Sequence, residues 1–277
     1  MNLCEKLIYL LQTEMNTPKP FGWFHILWIV LVIVSLLFLY FNKNKYNDKQ
    51  LKIVLAVYGV VALILEILKQ ISWSFNYNPI TNNTWWSYEW YAAPFQLCTT
   101  PIYVSLICLF LKKGKIRNYL LSYIAYFTIL GSIMTILMPD SCFTSDILVN
   151  IHTMYLHCGS FVVSVYLLFI NEVEVKYSNV LRGLLVFLIF VFIANTLNII
   201  VYNSGILNGE TFNMFYISPY FISHLPIYGT VQESIPYIFY LMFYIISIYL
   251  GSDIIFFISC GINWINKNIK SYLYKKQ

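Results

Sequence analysis

GWFHILWIVLVIVSLLFLYFNKNKYNDKQLK, residues 22–52, decides the fold. Residues 22–41 contain no Asp, Glu, Lys or Arg. A run of that length crosses about 30 Å of hydrocarbon as a helix. Four lysines follow, at 43, 45, 49 and 52. An uncharged run closed by a short basic loop reads as a membrane span with its cytoplasmic flank.

Working outward, six more runs have the length of a span: 51–73, 94–111, 118–138, 147–170, 181–202 and 235–258. Charged residues are 10% of the 277, against about 25% in a soluble domain. The expected fold class is all-α: a polytopic membrane protein of seven transmembrane helices in a single domain over residues 1–277. Glu5, Lys6 and Glu14 interrupt the first twenty residues, and no cleavage site follows, so no signal peptide is expected. Leu3, Leu7, Leu10 and Leu11 fall near one helical face, which predicts a short interfacial helix within residues 1–20.

Loop charges set the orientation. Lys43, Lys45, Lys49 and Lys52, then Lys112, Lys113, Lys115 and Arg117, then Lys176 and Arg182, and finally Lys267, Lys270, Lys275 and Lys276 occupy alternate loops. The opposite loops, 74–93, 139–146 and 203–234, contain no Lys or Arg. Positive residues stay cytoplasmic, so the N-terminus is expected outside and the C-terminus inside. The net charge of +5 is accounted for by these flanks, and membrane lipids rather than nucleic acid are the expected partners. Six cysteines, at 4, 98, 108, 142, 158 and 260, form no C-x-x-C and no metal-ligand spacing with the four histidines, so no metal and no cofactor are expected. The Trp-rich 71–93 region reads as an interfacial belt or a platform over a site. The apolar 203–234 loop is expected to fold back onto the bundle.

Polar residues inside spans are costly and tend to face the bundle interior. In span two, Glu66, Lys69, Gln70 and Trp73 share one helical face. In span five, Thr153, His157, Ser160 and Ser164 do the same; in span six, Asn195, Asn198 and Tyr202. In span three, Pro94 reads as a helix start and Pro101 as a kink, freeing the Leu97 carbonyl beside Cys98. At about 1.5 Å per residue, Cys98 lies about 6 Å from the outer surface and His157 about 15 Å; Glu66, Lys69, Asn195 and Asn198 lie about 6–11 Å deep. An outward polar cavity lined by spans two, three, five and six is therefore expected. A thiol, an imidazole and an acid are the parts of a nucleophile, base and orienter. Cys98 would attack an acyl group and His157 would shuttle the proton. Glu66 or an Asn would orient the imidazole, and Lys69 or an Asn would stabilise an oxyanion. The rival reading is a transporter or lipid-binding protein with the Glu66–Lys69 pair as its ion or substrate locus.

Several strings resemble one family. Pro94-Phe95-Gln96-Leu97-Cys98 resembles the Leu-Pro-Leu-His-Leu-Cys string of the YwaF-like bacterial membrane proteins. Leu137-Met138-Pro139-Asp140 is similar to their Leu-Thr-Pro-Asp, and Tyr155-Leu156-His157 to their histidine-bearing span. Asn198, Gly205 and Asn213-Met214-Phe215 resemble a later segment, so the likeness runs over roughly 20–250. The resemblance implies a seven-helix protein of the bacterial cell membrane. Animal relatives are assigned lysophospholipid acyltransferase activity, with a cysteine carrying the acyl group taken from an acyl donor. By position that cysteine is Cys98 and the family histidine is His157. Gln96 stands where the family has histidine, and Ala93 where it has leucine.

Overall fold

The computed structural model describes residues 2–139 and 142–274. Asp140, Lys275 and Lys276 lie outside the described residues. Six helices are long and apolar enough to cross a membrane: α2 (Trp23–Phe41), α3 (Asp48–Ser74), the rod Lys115–Leu137, α7 (Ile147–Phe169), α8 (Tyr177–Asn203) and α10 (Tyr237–Tyr274). The rod is α5 (Lys115–Tyr123), one π turn (Ile124–Thr128) and α6 (Ile129–Leu137) in line. It is the centre of the bundle, with Tyr123, Ile124, Ala125, Tyr126 and Phe127 all buried. Thr128 and Ser164 both bond the Ile124 carbonyl, at 2.9 and 2.8 Å, and Ser160 meets Thr128 at 3.0 Å. The π turn breaks the regular i→i+4 ladder, and these hydroxyls supply partners around it. Part of the serine stripe predicted on span five is thus a seam between α7 and the rod.

Glycines set the close approaches. A Cβ on Gly159 would lie 2.7 Å from the Tyr58 ring, so α7 rests directly on the aromatic face of α3. A Cβ on Gly183 would lie 3.0 Å from Phe127 and from the Ser122 carbonyl, where α8 meets the rod.

The third apolar run differs most from its prediction. Its helix, α4, is only Thr100–Phe110, about 16 Å long against about 30 Å of hydrocarbon. Pro94 starts no helix. Residues 93–99 are irregular, stitched by Gln96 N–H to Thr99 Oγ1 (2.9 Å), Thr99 Oγ1 to the Gln96 carbonyl (2.9 Å) and Thr100 Oγ1 to the Leu97 carbonyl (2.8 Å). Pro101 therefore occupies the first turn of α4 and kinks nothing; its missing N–H would have had no helical partner there. Pro101→Ala is expected to cost about 1–2 kcal/mol, from the ring methylenes it removes at a buried site, measured by thermal unfolding in detergent. A gain in stability would restore the kink, because a proline inside a helix is destabilising.

The all-α expectation also misses a hairpin, β1 (Phe75–Asn78) with β2 (Asn83–Trp86), paired Phe75 to Trp86 through Asn78 to Asn83. Asn78 Oδ1 accepts the Ile80 and Thr81 N–H groups, and Asn82 takes φ +54°, so asparagines turn the chain where it leaves α3. The predicted N-terminal helix is α1 (Leu3–Leu11), started by a reciprocal Asn2–Glu5 capping box. It docks at the hairpin: Gln12 Nε2 donates to the Ser72 and Phe75 carbonyls at 2.7 and 2.6 Å, and Thr84 Oγ1 donates to Glu5 at 3.0 Å.

Three basic loops meet at the other end. Arg117 Nη1 lies 2.5 Å from Asp48 at the start of α3, and Nη2 lies 3.1 Å from Glu172 after α7. The lysine-rich loops thus share one end of the bundle, as the charge pattern requires.

Candidate active site

Α3 delivers Glu66, Lys69 and Gln70 to one face, and all three engage. Glu66 Oε1 accepts from Lys69 Nζ at 2.7 Å and from Gln70 Nε2 at 2.8 Å. Its other oxygen, Oε2, lies 2.7 Å from His152 Nε2 on α7. Gln70 and Lys69 also donate to the Ala92 carbonyl, at 2.6 and 3.4 Å, just before the irregular segment. Glu66 is 2% exposed, His152 5% and Lys69 7%. A buried carboxylate with three donors, two of them on basic side chains, has its lone pairs satisfied. At the aqueous rim, burial and the charge of Glu210 raise the Glu89 carboxyl above its ordinary range.

His152 is the residue the sequence reading missed. Glu66 engages it and not His157, so the predicted Glu66–His157 pairing does not form. Five residues separate the histidines, about 140° around a helix, so they face different neighbours. The signal was present in the depths: Lys69 and His152 each lie five residues from the ends of α3 and α7 that meet here, whereas His157 lies ten in.

Cys98 sits in the irregular segment immediately before α4, packed against the core and within electrostatic range of Glu66 and Lys69. Cys98 and His157 are both deep in the bundle, yet both are only half-buried. No hydrogen bond joins the two among the described residues. Among the described residues no hydrogen bond engages a ring nitrogen of His157.

Two of the remaining predicted site residues, Asn198 and Gln96, are clamps on the 203–234 loop, which does fold back and ends in the short helix α9 (Tyr228–Ser234). Asn198 holds the Met214 backbone at both ends: its Oδ1 accepts the Met214 N–H at 2.7 Å and its Nδ2 donates to the Met214 carbonyl at 3.0 Å. Gln96 does the same one step along, donating to the Asn213 carbonyl (3.0 Å) and accepting from the Phe215 N–H (2.8 Å). Asn195 accepts the Tyr237 hydroxyl at 2.6 Å. Gln96 stands where the resembling family has histidine, and both ends of its amide are occupied. Met214 and Phe215 are fully buried, and Phe215 stacks on Phe95. The loop therefore roofs the segment that holds Cys98. Asn198→Ala strands a buried N–H and C=O and is expected to cost about 2–4 kcal/mol, read by thermal unfolding and by faster proteolysis within residues 203–227. An unchanged cleavage rate would contradict the clamp.

Comparison with curated proteins and with solved structures returns no match. The TMEM164 family model matches residues 20–262, a stretch that includes Glu66, Cys98, His152, His157 and the clamped loop. With that much of its length matched, this integral membrane protein belongs to the TMEM164 family.

Proposed function

We propose that the protein is a membrane-embedded lipid acyltransferase that carries the acyl group on Cys98. The observation behind this reading is the Cys98 thiol within electrostatic range of the buried Glu66–Lys69 pair, in a core that also holds a His157 imidazole engaged by no hydrogen bond among the described residues. His157 takes the thiol proton, and the thiolate attacks the carbonyl carbon of an ester-linked acyl chain on a donor lipid. The ester bond breaks, a thioester forms on Cys98, and the departing alkoxide recovers the proton from His157. The hydroxyl of an acceptor lysophospholipid then attacks the thioester and regenerates the thiol. The Glu66–His152–Lys69 cluster holds α3 and α7 in register beside the nucleophile and sets the local field.

This reading takes the chain across a bacterial cell membrane seven times, N-terminus outside, with residues 93–99 completing the crossing that α4 leaves short. Non-helical backbone at membrane depth is tolerated when buried in protein, and the Gln96 clamp meets that condition. A transporter needs a polar path to the basic end. The buried face of α3 below Glu66 is Ala62, Gly59, Tyr58, Leu55 and Leu51, which is apolar but for the Tyr58 hydroxyl.

The test is to incubate purified protein with phospholipid bearing a labelled acyl chain and to treat it with neutral hydroxylamine. Label that is released by hydroxylamine and absent from Cys98→Ser supports the thioester. Label that persists undiminished in Cys98→Ser overturns it.

A further inference from the structure

At the basic end, Lys113, Gly114, Lys115, Arg117, Asn118, Tyr119, Glu172 and Arg182 line a cavity of about 480 Å³. It lies about 27 Å along α3 from Glu66, so it is separate from the site proposed for acyl transfer. We propose that it binds a phosphate group.

Four cations line the cavity against two carboxylates, Glu172 on its wall and Asp48, which pairs with Arg117. Glu172 accepts from Tyr46, from Arg117 Nη2 at 3.1 Å and has Lys113 Nζ at 3.5 Å. The wall therefore keeps more cations than carboxylates. The cavity also contains the start of α5, whose cap is Gly114, with no side-chain cap bond. The first N–H groups of a helix have no intrahelical partner and attract anions.

Arg117 supplies the independent observation. It is 1% exposed, and among the described residues its Nε–H has no hydrogen-bond partner. A buried guanidinium with a spare donor on a cavity wall is what a tetrahedral oxyanion completes. Arg182 is preset in the same way: Asn118 and Asn179 hold its Nη1 at 2.9 and 2.5 Å, and its guanidinium lies over the Tyr119 ring. Flexible surface lysines kept only for orientation need none of this scaffolding.

A phosphate could come from a phospholipid headgroup, because the cavity sits where apolar helices meet lysine-rich loops, or from a soluble phosphate ester. Arg117 also ties Asp48 to Glu172, so its replacement confounds binding with folding. Arg182→Gln and Lys115→Gln avoid that. The full-length protein, in nanodiscs of phosphatidylcholine alone or with phosphatidylglycerol, is analysed by native mass spectrometry for retained anionic lipid. In parallel it is titrated in detergent with inorganic phosphate, with thermal unfolding as readout. Retained phosphatidylglycerol, weakened about tenfold or more in either variant, supports the site and assigns it to a headgroup. Stabilisation by inorganic phosphate, weakened to the same extent, supports it and assigns it to a soluble ester. Neither ligand binding, or binding that both variants leave unchanged, overturns it.

Discussion

Cys98→Ala is expected to abolish acyl transfer, with a loss of at least about 10³-fold. Alanine removes the atom on which the acyl group resides in the proposed cycle, and Cys142→Ala is the control for the one cysteine within electrostatic range of Cys98 among the described residues. Cys108 is buried on α4 among apolar residues, and Cys158 lies in a separate apolar cluster with Phe24, Val32, Phe143 and Met154. His157→Gln keeps a polar side chain of similar size but removes the base, and a loss of about 10²–10⁴-fold is expected. The measurement is acyl transfer between defined phospholipids in detergent, with thermal unfolding as a control on folding. A Cys98→Ala protein that is folded and within tenfold of the parent would end the covalent proposal. A His157→Gln protein with unchanged rate would move the base elsewhere, and His152 would be the next candidate.

Glu66→Ala carries the largest expected cost in stability, about 3–5 kcal/mol. The carboxylate stands between Lys69 and His152, both nearly inaccessible. Its removal leaves the Lys69 ammonium without a counter-charge, with only the Ala92 carbonyl to accept from it, and strands the His152 imidazole in an apolar bundle; Gln70 keeps only its bond to Ala92. The damage comes from the stranded partners more than from the lost contact. Glu66→Leu combined with Lys69→Met and His152→Phe should therefore recover most of the loss, because it removes the whole cluster together. Thermal unfolding in detergent separates the two. If the triple variant is as unstable as Glu66→Ala, the cluster contributes through packing shape and not through charge pairing.

Much of the fold was legible because the membrane imposes simple rules. Length and apolarity located α2, α3, α7, α8 and α10, and the lysines placed their loops at a common end. The third run failed because composition cannot separate a helix from buried irregular chain: residues 93–99 carry no charge and run straight into α4, but they hydrogen-bond through Thr99, Thr100 and Gln96. Pro94 and Pro101 are each compatible with a helix start, and only tertiary context chose Pro101. The hairpin at 75–86 was hidden by its short strands and its aromatic content. At the site, Glu66, Lys69 and Gln70 were found from spacing on one helix, where geometry is local. Their partner on α7 required the relative rotation of two helices. The longer polar stripe containing His157 drew attention away from His152. Asn198 and Gln96 read as cavity polar groups because a side chain that binds substrate and one that binds a folded-back loop have the same composition.

The Gln96 clamp has a consequence for biosynthesis. Its two partners, Asn213 and Phe215, lie 117 and 119 residues later in the chain. Until they emerge, the amide of Gln96 must find other partners or remain in contact with water. The third apolar segment therefore cannot settle when it leaves the insertion machinery. It must wait for α8 and the loop after it, so the cysteine-bearing segment is among the last parts of the bundle to be sealed from solvent.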